Sequence, residues 1–142
     1  MILVDAVYIN DSGGKILLDY LIQQFEKTDM EIYYLLDKRV ENKYSYIKAG
    51  NKVEYLKGGL IPRNQFYRKR GNAFRKVLCF GNFPPLIMLK GTVFTYFHQL
   101  LFINAPSILP FITHFLIKLK TVIFSLTVGN SDFWLVQSGE VK

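Results

Sequence analysis

The apolar run Ile2-Leu-Val-Asp-Ala-Val-Tyr-Ile9 and the turn Asn10-Asp-Ser-Gly-Gly14 behind it constrain this chain most. A short run rich in β-branched residues and bounded by turn formers fits a buried strand. The period then changes. Leu17, Leu21 and Phe25 share one helical face, flanked by Leu18 and Ile22, while Lys15, Gln23 and Lys27 point elsewhere. Asp11 or Ser12 is placed to cap that helix. A strand, a glycine turn and a helix start in this order also make an anion site. Glycine lets backbone approach a ligand, and the helix N-terminus offers unpaired N–H groups and partial positive charge.

The same alternation continues along the chain. Glu31-Ile-Tyr-Tyr-Leu-Leu36 and Val53-Glu-Tyr-Leu56 read as strands, with the charged, glycine-punctuated loop 37–52 between them. The stretch from Arg63 to Lys76 holds Arg63, Arg68, Lys69, Arg70, Arg75 and Lys76 and no acid; Phe66, Tyr67 and Phe74 give it an apolar side, so a helix is expected. Lys76-Val-Leu-Cys-Phe-Gly81 and Thr92-Val-Phe-Thr-Tyr-Phe97 read as two more buried strands, separated by the turn former Asn82-Phe-Pro-Pro85. Asp132-Phe-Trp-Leu-Val-Gln137 reads as a last short strand. The order predicts one α/β domain over residues 1–142, a Rossmann-like, mostly parallel sheet with helices on both faces. Gly139-Glu-Val-Lys142 looks like a helix beginning, and a buried parallel strand needs a covering helix, so the expectation is a piece of something longer.

Half of the 142 residues are hydrophobic and 15% are aromatic, which excludes a disordered chain. Eighteen Lys and Arg against eleven Asp and Glu give a charge of +7, a balance that favours phosphorylated ligands, anionic lipid or nucleic acid. The basic stretch lacks any recognised nucleic-acid motif, so a solvated helix face is the expectation there and nucleic acid is not the expected partner. Cys79 is the only cysteine, which excludes an internal disulfide, and its apolar surroundings predict a buried thiol. No Cys/His cluster has metal-ligand spacing, so no metal is expected. An acid at position 5 and no basic start argue against a signal peptide, and a cytoplasmic protein fits. In the apolar segment 100–128, Asn104, Pro106, Pro110, His114, Lys118 and Lys120 interrupt every window long enough to span a bilayer. An amphipathic helix in the membrane interface, or packed on a partner, is expected instead.

Ligands of open α/β sheets bind beyond the carboxyl ends of strands, near the point where strand order reverses. Asn10 to Gly14, Asn82, and His98 with Gln99 each follow a strand, so three polar loops converge on one crevice. A dinucleotide site fits less well, because the full Gly-x-Gly-x-x-Gly is missing and only Asp37 stands where an acid should end the second strand.

With Ser12-Gly-Gly-Lys15, Lys76-Val-Leu-Cys-Phe-Gly-Asn82 and Val93-Phe-Thr-Tyr-Phe-His-Gln99 in this order, the chain resembles the N-terminal domain of a group 1 (family 4) glycosyltransferase of the two-domain GT-B fold. Asp132 to Gln137 and the residues after it are similar to the strand and helix start that continue this domain. The resemblance implies a nucleotide-sugar as co-substrate, with no cofactor. It places Gly13, Gly14 and Lys15 on the loop facing the donor diphosphate, and His98 beside the transferring sugar as the catalytic candidate. Asn82 and Gln99 fall on the acceptor side. The family's C-terminal donor domain is missing, none of the five glutamates stands in its paired context, and no Asp-x-Asp sequence suggests a metal. The implied function is the acceptor-binding half of an enzyme that builds a polysaccharide or glycolipid, inactive alone and completed by a C-terminal domain or a separate donor-binding subunit. Its implied place is the cytoplasm, peripheral on the inner face of the cell membrane. The alternative is a non-catalytic α/β module that binds a membrane surface or a partner protein through residues 107–128.

Overall fold

The structure is a computed structural model that describes residues 1–97 and 121–136. Its elements are β1 (Ile2–Ala6), α1 (Ser12–Phe25), β2 (Ile32–Asp37), β3 (Lys52–Leu56), α2 (Leu60–Arg70), β4 (Lys76–Cys79), β5 (Thr92–Phe97) and β6 (Phe133–Val136). Residues 121–127 are helical. All six strands are parallel, in the order β3-β2-β1-β4-β5-β6. This is a Rossmann-like sheet whose order reverses between β1 and β4.

Strand alternation sorts the core into two layers. Val4, Ala6, Ile32, Tyr34 and Leu36 pack with Leu18 and Ile22 of α1 on one face. Leu3, Val7, Tyr33, Leu35, Val77 and Cys79 pack with Phe66 and Tyr67 of α2 on the other. Being covered on both faces explains why these strands read as continuous apolar runs.

Two crossovers carry no α-helix. Between β2 and β3, Val40, Tyr44 and Ile47 lie on the α1 layer in place of helical side chains. Between β4 and β5, Ile87 and Leu89 do the same on the α2 layer.

Several boundaries differ from the sequence expectation for physical reasons. β1 ends at Ala6 rather than Ile9, because the Asp5 carboxylate takes the Val7 N–H at 3.3 Å and the Ile9 N–H turns back to the Ala6 carbonyl at 3.0 Å. The buried stripe of α1 runs through Leu18 and Ile22, and Leu17 is 38% exposed, so the helix is rotated by about one residue from the face its spacing suggested. α2 spans Leu60–Arg70 rather than the basic stretch from Arg63 to Lys76, and the run of cations divides. Arg68, Lys69 and Arg70 are exposed on its last turn, where they complement the helix dipole, whereas Arg63 is buried. Cys79 is a fully buried free thiol, as its surroundings predicted. Among the described residues no helix is long and apolar enough to cross a membrane.

Candidate functional site

The loop after β1 enters α1 through Ser12, whose φ of 56° lies in the left-handed region. Asp11 stands at the N-cap with extended backbone but makes no side-chain cap bond, and the first turn holds no acid. No side-chain oxygen of the cap therefore satisfies the first N–H groups of the helix. A Cβ built at Gly13 would meet nothing within 4 Å, and Gly13 does not use a positive φ. Among the described residues, neither packing nor backbone geometry calls for glycine there. What its missing side chain provides is clear access to the helix start. Gly14 follows, half-buried. Lys15 faces along the helix: its Nζ lies 2.5 Å from Asp19 Oδ2 and 5.6 Å from the centre of the Tyr44 ring.

Across the switch point, the loop after β4 carries Asn82, also left-handed at φ 67° and buried to 4% exposure. Its N–H donates to the Tyr96 carbonyl of β5 at 3.3 Å. A Cβ on neighbouring Gly81 would lie 3.1 Å from Tyr8 Cδ2, so the loops after β1 and β4 are in direct contact, and Tyr8 meets Phe83 edge to face. Two non-glycine residues with left-handed backbone thus flank the switch point, the edge at which an open α/β sheet binds its ligands.

Beneath the switch point lies a charged network that the basic stretch concealed. Arg63 reaches from α2 to β1, where its Nε donates to Asp5 Oδ2 at 2.6 Å. Its Nη1 donates to the Pro84 carbonyl at 3.0 Å and its Nη2 to the Phe83 carbonyl at 2.8 Å. Tyr67 completes the coordination of Asp5 with an O–H bond of 2.5 Å. The guanidinium sits 5.5 Å from the Tyr8 ring centre and 5.1 Å from that of Tyr67. Burial opposes the charge of Arg63, but Asp5 together with Tyr67, Cys79 and Tyr8 outweighs it, and the pKa lies well above the usual arginine value. Burial, reinforced by Asp5, pushes the Tyr67 phenol far up. Burial likewise lifts the Cys79 thiol to about 12, against the pull of Arg63. Asp5 was the available signal: an acid inside an apolar strand must find a partner.

Asp37 ends β2 at the position expected for a ribose-binding acid, yet its carboxylate is already taken. Arg39 forks onto it, Nε to Oδ1 at 2.9 Å and Nη2 to Oδ2 at 2.7 Å, and the Arg39 N–H adds a third bond at 2.9 Å. With 1% of its side chain exposed, Asp37 is not free to hold a sugar hydroxyl. This removes the remaining support for a dinucleotide site of the usual kind.

Of the expected site residues, Asn82 lies on the loop after β4, whereas Gly13 and Gly14, expected on a loop, stand in the first turn of α1 because the helix already begins at Ser12, and Lys15 is paired within the same helix. His98 and Gln99, with most of segment 107–128, lie outside the described residues. Among the described residues no three His, Cys, Asp or Glu side chains are grouped to hold a metal ion. Compared with protein families, characterised proteins and solved structures, the chain finds no match.

Proposed function

We propose that this chain is the acceptor-side half of a glycosyltransferase that moves a sugar from a nucleotide-sugar donor to a polysaccharide or glycolipid acceptor at the inner face of the cell membrane. The observation that carries this reading is the switch in strand order between β1 and β4, with the uncapped start of α1 after one strand and Asn82 after the other. Sugar transfer requires a diphosphate leaving group whose growing charge is met by fixed donors. The uncapped N–H groups of α1 suit that role, and the bare Gly13 leaves room for the phosphates to approach. The acceptor hydroxyl must also be held in line with the donor, and the loop at Asn82 is the element we assign to this. The donor nucleotide would be gripped by the other half of the enzyme, so the isolated chain binds without turning over. His98 follows β5 and is the side chain we assign to the transferring sugar.

Amide NMR on this chain tests the reading. Titrated nucleotide-sugars and glycolipid headgroup sugars should shift the resonances of residues 12–15 and 81–82, and Asn82→Ala should weaken the acceptor effect. If no sugar or nucleotide-sugar moves those resonances, the reading fails.

A second reading has its own observation. Val122 (53%) and Leu126 (78%), on the helical residues 121–127, are exposed, as is Phe133 of β6 at 54%. Such surface suits a non-catalytic module that docks through residues 107–128. Liposome binding that ignores both salt and sugars would favour it.

A further inference from the structure

We infer that a second phosphate-binding pocket lies at the carboxyl ends of β2 and β3, beside the α1 loop and separate from it. Parallel pairing sets Asp37 opposite Leu56, so the residues that follow, Lys38 and Lys57, emerge side by side although 18 residues of chain separate the two strand ends. With Asp37, Arg39 and Gly58 they line an open cavity of about 330 Å³, large enough for a phosphoryl group and part of what carries it.

The charge balance favours an anion. Asp37 is neutralised by Arg39, and Lys38 and Lys57 are exposed with no ion pair among the described residues. The Arg39 fork uses Nε and Nη2, which leaves Nη1 for a ligand. Gly58 shapes the floor. A Cβ there would stand 3.1 Å from Asp37 Oδ2, 3.5 Å from Arg39 Nη2 and 3.6 Å from the Val7 carbonyl, so this backbone lies close against the ion pair and a side chain here would press on the Asp37 carboxylate. The Val7 contact and the electrostatic effect of Asp11 on Arg39 place the pocket next to the loop that enters α1. Asp11 acts on the charge of Arg39 from the neighbouring loop and so opposes a bound anion here, which gives the pocket a signature of its own: removing that acid strengthens binding.

The inference does not depend on sugar transfer. Inorganic pyrophosphate, titrated into the full chain at fixed ionic strength and followed by amide NMR, should give saturable shifts at Arg39, Lys57 and Gly58. Lys38→Ala with Lys57→Ala should raise the Kd at least tenfold while the spectrum keeps its dispersion, and Asp11→Asn should lower it severalfold. Added salt should weaken binding steeply. Shifts confined to residues 12–15, shifts that never saturate, or an unchanged Kd in the double variant would overturn the inference. Competition by phosphatidic acid vesicles, lost in the double variant, assigns the pocket to a lipid-borne phosphate. Pyrophosphate binding that ignores such vesicles assigns it to a free phosphorylated compound. A tenfold change in Kd corresponds to about 1.4 kcal/mol.

Discussion

Arg63 and Asp5, 58 residues apart in sequence, form a buried ion pair of 2.6 Å that joins α2 to the centre of the sheet. The same guanidinium holds the carbonyls of Phe83 and Pro84, so one side chain ties the helix, the first strand and the loop after β4 together. The loop that presents Asn82 is thereby fixed from below.

Arg63→Ala should destabilise the chain by about 3–5 kcal/mol, since it strands a carboxylate and two carbonyls away from water. Arg63→Lys should recover little, because a single ammonium cannot reproduce the fork. Replacing the pair together, Asp5→Leu with Arg63→Met, should cost less than Arg63→Ala alone. Urea unfolding of the three variants checks the ranking, and a loss below about 1 kcal/mol for Arg63→Ala would contradict it.

Acid should weaken the fold through Glu26. Burial tends to raise its pKa, but the Lys48 N–H, the Tyr34 hydroxyl and the Asn51 amide all donate to the carboxylate, and the pKa ends below the usual value. A carboxylate depressed in the folded state stabilises above its unfolded pKa of about 4.3, and that stability is lost as pH falls through the folded value. Asp37 shifts the same way: burial works against it, and the hydrogen bonds from Arg39 prevail. Urea midpoints should therefore fall from about pH 5 downward, and Glu26→Gln should flatten the fall without abolishing it. A variant as acid-sensitive as the native chain would exclude Glu26 as the cause.

Cys79 should be inert in the native protein. Its thiol is wholly buried and held protonated, with a pKa of about 12. A thiol reagent at pH 8 should label it only as fast as the chain unfolds, and at once in denaturant. Rapid labelling without denaturant would show that the α2 layer opens.

Ser12→Gly should raise the melting temperature, because a φ of 56° costs a residue with a Cβ on the order of 1 kcal/mol. For a chain of this size the gain is about 2–4 °C. Gly13→Ala, which fills open space, should leave stability nearly unchanged and weaken phosphate binding at the α1 start. A fall in melting temperature for Ser12→Gly would mean that the serine side chain holds the turn.

The strands and both helices were legible because covered parallel strands give short apolar runs and α1 gives a helical period. Even the two crossovers without an α-helix read as loops, since turn residues and charges fill them. The inner network was less legible. A count of cations from Arg63 to Lys76 cannot tell which of them turns inward; only the helix phase, set by Phe66 and Tyr67 packing under β1, directs Arg63 at Asp5. The cluster of Lys38, Arg39 and Lys57 was hidden for another reason. It exists only in the register between β2 and β3, which no local pattern specifies. Gly13 read as a turn glycine, but it stands in the first turn of α1, and the open space beside it is a tertiary fact.

β6 closes one end of the sheet with Phe133 54% and Leu135 42% exposed, and among the described residues nothing pairs with its outer edge. Backbone donors and acceptors beside greasy side chains make an adhesive seam. In the test tube this seam will govern handling: the chain should coarsen into oligomers as it is concentrated, and a lysine at position 135 should keep it dispersed long enough for the titrations above.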